Sequence, residues 1–139
     1  HTIIECNPSV IRRFGEWRDR YPESEIHLVK GLWQEVMDGL GTFDSIFFHT
    51  YALDEEEAVE RLSGVTFADN FFPVAADHLE EGGVFTYLTS EIDSLGRAHQ
   101  RLLFEHFREI RTRVVPLQLP PELKDAWWAD SMVAIAAVR

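Results

Sequence analysis

Four short stretches of this chain set reactive side chains directly after apolar runs: Glu5-Cys6-Asn7, Gly31-Leu32-Trp33-Gln34, His49-Thr50-Tyr51 and Thr89-Ser90. A carboxylate such as Glu5, closing a strand-like run, can accept hydrogen bonds from both hydroxyls of a ribose, as in dinucleotide folds. It can equally be a solvated acid favoured by the dipole of the helix it precedes. Gly31 lets backbone approach a flat ring; Leu32 and Trp33 could then edge an adenine, and Gln34 or the Trp33 amide could read it. Trp33 could instead simply pack at the start of its helix. His49 follows a strongly apolar run and precedes Thr50-Tyr51, so its imidazole should project from a strand end. There it can take up a proton or orient a substrate, or merely cap the next loop.

Other candidates are weaker. His99 and His106 lie seven residues apart on one helix, two turns and too far to share a metal unaided, and His27 falls within a strand. Trp127-Trp128 could line a pocket or pin a loop to the core. Asp54 to Glu57 reads as a solvated helix start. The chain contains no Gly-x-Ser-x-Gly elbow, no Walker loop, no His-Glu-x-x-His and no Gly-x-Gly-x-x-Gly phosphate turn.

The elements that carry these residues alternate. Thr2 to Cys6 is strand-like, and Asn7-Pro8 caps a helix in which Val10, Ile11, Phe14 and Trp17 recur at helical spacing to about Arg20. Ile26 to Gly31 is the next strand, and Trp33 to Leu40 a short helix ended by Gly39 and Gly41. Phe43 to Phe48 is almost wholly apolar, which predicts a strand covered on both faces. Helical pattern follows from the acidic run through Phe71, Val74, Ala75 and Leu79, in two pieces, and Glu80-Glu81-Gly82-Gly83 closes it. Val84 to Leu88 is a strand, Leu95 to Phe107 a helix with Leu102, Leu103 and Phe107 on its apolar side, and Ile110 to Leu117 a strand. Pro120-Pro121 imposes an irregular connection before a last strand, Ser131 to Val138. Such alternation gives an α/β fold, a mostly parallel sheet with helices on both faces and an antiparallel hairpin at its carboxyl-terminal edge. In such sheets ligands bind beyond the carboxyl ends of the strands, where all four stretches fall. Residues 1–139 read as one domain, without repeats or linkers.

With 24 acidic against 13 basic residues the net charge is -11, and no basic patch stands out, which argues against nucleic acid as a partner. Cys6 is the only cysteine, so an intramolecular disulfide and thiolate-held zinc are excluded. No run approaches the roughly 20 apolar residues of a membrane span, and the first residues lack the features of a signal peptide. A cytoplasmic protein is expected. The chain starts without Met and directly in a strand, so a natural amino terminus is expected to precede it.

The strings Ile3-Ile4-Glu5-Cys6-Asn7, Lys30-Gly31-Leu32-Trp33, Phe43-Asp44, Thr50-Tyr51, Gly82-Gly83-Val84, Thr86-Tyr87 and Ile110-Arg111-Thr112 together resemble guanidinoacetate methyltransferase, in that family's order and nearly its spacing. The arginine delta-N-methyltransferases are a related group. The resemblance covers essentially the whole chain and implies a Rossmann-like class I methyltransferase sheet whose first strand and glycine-rich loop precede His1. A sheet lacking that strand would expose two apolar edges.

The resemblance further implies S-adenosylmethionine as cofactor, with Glu5 on its ribose beside Cys6 and Asn7, Leu32, Trp33 and Gln34 at the adenine, and His49 nearby. Gln34 replaces an acid of the family. The acceptor would meet His49, Thr50, Tyr51, Thr89 and Ser90, the last two after a short deletion. His49 stands where the family has an aspartate that grips a guanidinium. Imidazole cannot form that two-pronged ion pair, so an acceptor other than guanidinoacetate is expected, a neutral amine, hydroxyl or activated carbon with nitrogen favoured, with His49 as the catalytic base or orienting group and no metal. Expected partners are a small molecule, neither nucleic acid nor membrane, and a homodimer is compatible with the sequence. Two other readings remain: a non-catalytic binding or scaffold protein that kept the fold, and a dinucleotide-dependent oxidoreductase, against which the Lys-Gly-Leu-Trp string and the hairpin ending argue.

Overall fold

Alternating strands and helices follow the hydrophobic pattern through the computed structural model, which describes residues 1–123 and 129–139. β1 (Thr2–Glu5), α1 (Pro8–Arg18), β2 (His27–Lys30), α2 (Trp33–Val36), β3 (Phe43–Phe48), α3 (Glu55–Ser63), α4 (Phe72–His78), β4 (Leu79–Tyr87), α5 (Arg97–His106), β5 (Glu109–Pro116) and β6 (Ser131–Val138) succeed one another. They fall into two units, His1–Gly41 and Thr42–Arg139. Trp127 and Trp128 lie outside the described residues.

In the first unit β1 and β2 pair in parallel, from Thr2 opposite His27 to Glu5 opposite Lys30. α1 begins where the sequence predicts, because the Asn7 side chain accepts from the Ser9 amide and Pro8 needs no amide partner in the first turn. Phe14, Trp17 and Tyr21 form an aromatic row with ring centres 5.8 and 5.0 Å apart.

In the second unit the strand order is β3-β4-β6-β5. β3 and β4 are parallel, while β6 runs antiparallel to both β4 and β5. One reversed strand among co-directional ones, with helices between, is the Rossmann-like α/β arrangement, and β5 forms its edge. The β5–β6 pair matches residue for residue from Glu109 opposite Val138 to Pro116 opposite Ser131. Phe72 of α4 is fully buried, with its ring 5.7 Å from Phe85, 5.1 Å from Tyr87 and 6.1 Å from Phe107. Leu79 and Leu103 close the same core, and Phe71 stacks on Phe48 at 4.2 Å.

Several expectations need correction. β3 is not covered on both faces: Phe47 is 67% exposed. The rings of α4 and α5 lie against the face that presents Phe85 and Tyr87, whereas the alternate residues Val84 and Thr86 are half-buried and Leu88, just past β4, is 46% exposed. The Glu80–Gly83 stretch does not end a helix; it lies within β4, which starts at Leu79. The pairing with β3 jumps from Phe43 opposite Leu79 to Ser45 opposite Val84, and Gly82, at φ 79°, absorbs the extra residues in a bulge. The helix expected from Trp33 to Leu40 breaks after Val36 into a 3₁₀ turn, Met37–Gly39. α5 begins at Arg97 instead of Leu95, because the Gly96 amide is taken by the Glu91 side chain.

The core carries a direct test. Phe72→Ala should cost about 3–5 kcal/mol in chemical denaturation followed by circular dichroism. Phe104→Ala, at a residue of α5 that is 59% exposed, should cost less than about 1 kcal/mol.

Candidate functional site

Parallel pairing sets the ends of neighbouring strands side by side, so the turns that follow them meet. After β1 and β2 this joins Glu5 to Gly31 through a backbone hydrogen bond of 3.1 Å, from the Gly31 amide to the Glu5 carbonyl. The Glu5 carboxylate turns forward and accepts from the Asn7 amide at 2.7 Å. That bond takes Oε1 and holds the side chain at the end of the strand, just before α1. Gly31 has φ 153°, and a Cβ there would come within 2.8 Å of a Val36 methyl. Glycine is thus required for the turn and leaves its outer side free of side chain. Leu32 and Trp33 are half-buried in the following turn, while Gln34, Cys6 and Asn7 are exposed. The turns therefore bring Glu5 beside the bare Gly31 backbone, with the half-buried Trp33 two residues further on.

The second unit repeats the device. Phe48 pairs with Tyr87, so His49-Thr50-Tyr51 and Leu88-Thr89-Ser90 leave adjacent strand ends. His49 is exposed, its ring 5.9 Å from Phe47 and 5.4 Å from Tyr51, which is itself 80% exposed. Thr89 is buried and donates its hydroxyl to the Val133 carbonyl at 2.8 Å, whereas Ser90 faces solvent. Two of the sequence-predicted side chains are thus anchored: Thr89 to β6, and Thr50, whose hydroxyl accepts from Arg61 at 3.0 Å.

Arg61 was not singled out from the sequence. It lies on α3, only 6% exposed, and its guanidinium also meets the Glu57 carboxylate through Nε at 3.1 Å and Nη2 at 2.5 Å. Glu57 in turn accepts from the Leu53 amide at 2.7 Å, and Asp54 caps the helix by accepting from the Glu57 amide at 2.9 Å. The acidic run is therefore more than a solvated helix start: Asp54 caps and Glu57 anchors. The Leu53 amide, together with Arg61, holds the Glu57 carboxyl below its ordinary value of 4.5. The legible signal was the four-residue spacing of Glu57 and Arg61. His99, set aside as a metal ligand, is also missing from the predicted set; it is buried on α5 in contact with Tyr87. Its place four residues before Leu103 put it on the apolar stripe. Among the described residues no group of three or more His, Cys, Asp or Glu side chains could hold a metal, and no helix is long and apolar enough to cross a membrane.

Residues 1–135 match the guanidinoacetate N-methyltransferase family. Among solved structures, a precorrin-6y C5,15-methyltransferase from Geobacter metallireducens superposes with a TM-score of 0.67 at 15% identity, over 99% of this chain and 66% of that one. A methyltransferase from Pyrococcus furiosus gives 0.56 at 15% identity, over 99% and 61%. A spermidine synthase from Thermotoga maritima gives 0.56 at 14% identity, over 99% and 43%. At such identities the likeness is one of fold, and the chain spans less than two thirds of the length of each.

Glu57 makes acid sensitivity predictable. A carboxyl held below its ordinary value contributes stability that is complete above pH 4.5 and is lost as pH falls through the lowered value. Glu57→Gln should flatten the acid limb of a stability–pH curve, and Arg61→Ala should cost about 2 kcal/mol near neutral pH in urea denaturation.

Proposed function

The chain belongs to the guanidinoacetate N-methyltransferase family, and on that premise we propose that it takes part in methyl transfer from S-adenosylmethionine to a small-molecule acceptor, at nitrogen. The observation that carries the reading is the joined pair of turns after β1 and β2, with Glu5 and Gly31 one backbone hydrogen bond apart. The residues there suit a nucleoside. Glu5 keeps a second carboxylate oxygen beyond the one bonded to Asn7 and would accept from the ribose hydroxyls, with Cys6 and Asn7 beside it. Leu32 and Trp33 would border the adenine, whose flat ring the bare Gly31 backbone admits, and Gln34 is exposed and free to reach its edge.

When bound, S-adenosylmethionine would supply a methyl group on a positively charged sulfur, an electrophile for the acceptor's lone pair. The chain's own contribution is orientation and proton uptake. His49, exposed at the end of β3 and flanked by Phe47 and Tyr51, would accept the proton that the acceptor nitrogen releases. Thr50, Tyr51, Thr89 and Ser90 would surround the acceptor. Imidazole lacks the two parallel oxygens that match a guanidinium, which favours an amine over guanidinoacetate.

Titration calorimetry with S-adenosylhomocysteine should detect binding, and Glu5→Gln should weaken it about 10- to 100-fold, the worth of hydrogen bonds to a charged group. The absence of binding by the wild-type protein would favour a non-catalytic protein that kept the fold. With an acceptor drawn from a radiolabel screen of small amines, amino acids and phenols, His49→Ala should lower kcat about 100-fold or more; an unchanged rate would remove His49 from the chemistry.

A further inference from the structure

We propose that Glu91, acting through His99, is the positioning residue for the turn that presents Ser90. The proposal deepens, and as to acceptor binding rests on, the methyltransferase reading. Its basis is a buried chain of polar contacts that the reaction itself does not use. His99 is 1% exposed and Tyr87, the last residue of β4, is 4% exposed. The Tyr87 hydroxyl is hydrogen-bonded to His99 Nε2, and His99 Nδ1 lies 3.3 Å from Glu91 Oε1.

The chemistry of the partners orders this chain in one direction. An ionised carboxylate can only accept, so the contact with Glu91 requires the ring proton on Nδ1. In the neutral imidazole Nε2 then offers its lone pair, and the Tyr87 hydroxyl donates to it. Burial, with the charges of Glu91 and Asp69, pushes the Tyr87 phenol far above its ordinary value, so it keeps the proton it donates. Phe72 lies nearly parallel to the imidazole, at 17° with centres 6.4 Å apart, which restrains the ring plane.

Glu91 ties this chain to the turn. Its Oε1 also accepts from the Gly96 amide at 3.1 Å, at the start of α5. Its backbone carbonyl accepts from the Val133 amide at 2.9 Å, while the Thr89 hydroxyl donates to the Val133 carbonyl at 2.8 Å. Ser90 therefore stands between two residues that are both fastened to Val133 of β6, which restrains the backbone that presents its exposed side chain. An apolar side chain would fill the place of His99 without the cost of burying an imidazole. A fully partnered polar chain selects one arrangement of the groups it joins.

Nitrogen-15 NMR of the imidazoles in the purified protein tests the arrangement. The wild type should carry the His99 proton on Nδ1. In Glu91→Gln the amide can donate as well as accept, so the tautomer should become mixed and the Ser90 amide resonance should move. Tyr87→Phe, which keeps Glu91 and His99 in contact, should retain the Nδ1 proton and serves as a second variant if Glu91→Gln folds poorly. Against the panel of amines, amino acids and phenols, Glu91→Gln should raise the acceptor KM about tenfold, the loss of one charge-assisted hydrogen bond. Its affinity for S-adenosylhomocysteine should stay within about twofold of the wild type, since Glu91 lies outside the turns assigned to the nucleoside. A wild-type proton on Nε2, a Glu91→Gln spectrum unchanged at His99 and Ser90, or an altered tautomer with an unaltered acceptor KM would each overturn the proposal. A wild type that binds no S-adenosylhomocysteine would instead overturn the methyltransferase reading, and the tautomer would still decide whether the relay exists.

Discussion

Parallel pairing is the constraint on which the rest of this structure depends. Two parallel strands finish at the same edge, so whatever the chain places after one stands beside whatever it places after the other. In the first unit the pairing of Glu5 with Lys30 leaves the next residues no choice but to meet, and the Gly31 amide closes on the Glu5 carbonyl. In the second unit the pairing of Phe48 with Tyr87 does the same for His49 and Leu88. Residues far apart in sequence thus become neighbours without a loop having to find its place.

Strand ends alone do not orient side chains. In the second unit that task falls to buried polar groups. Arg61 is shared between Glu57 on its own helix and Thr50 in the turn after β3, and Thr89 is fixed by the backbone of Val133. A guanidinium out of water is costly unless its donors are used, and here the turn supplies one of the acceptors. The same contact that satisfies the arginine therefore immobilises the turn that carries His49. The two needs are met by one hydrogen bond.

The elements and their order were legible because the signals are local. Asn7-Pro8 marks a helix start, Phe43–Phe48 a strand, and the alternation of such segments an α/β sheet. The places of Glu5, Gly31, Trp33 and His49 at strand ends were legible for the same reason, since each follows an apolar run. Their proposed roles rest on resemblance and not on periodicity. The bulge in β4 was hidden because its acidic and glycine residues read as a helix end, and only pairing with β3 reveals them as strand. The open face of β3 could not be read either: apolar alternation reports which residues avoid water, not what covers them. Arg61 and His99 are not legible as single residues, because each matters through partners that the fold brings in.

The central claim is that the joined turns after β1 and β2 form a nucleoside-binding surface. Its most direct test is a chemical-shift titration of the nitrogen-15-labelled protein with S-adenosylhomocysteine. The account predicts that the amides of Gly31, Leu32 and Trp33, the Trp33 indole and the amides of Cys6 and Asn7 move together along one saturating curve. Saturable binding that leaves these signals in place, or no binding at all, would contradict it.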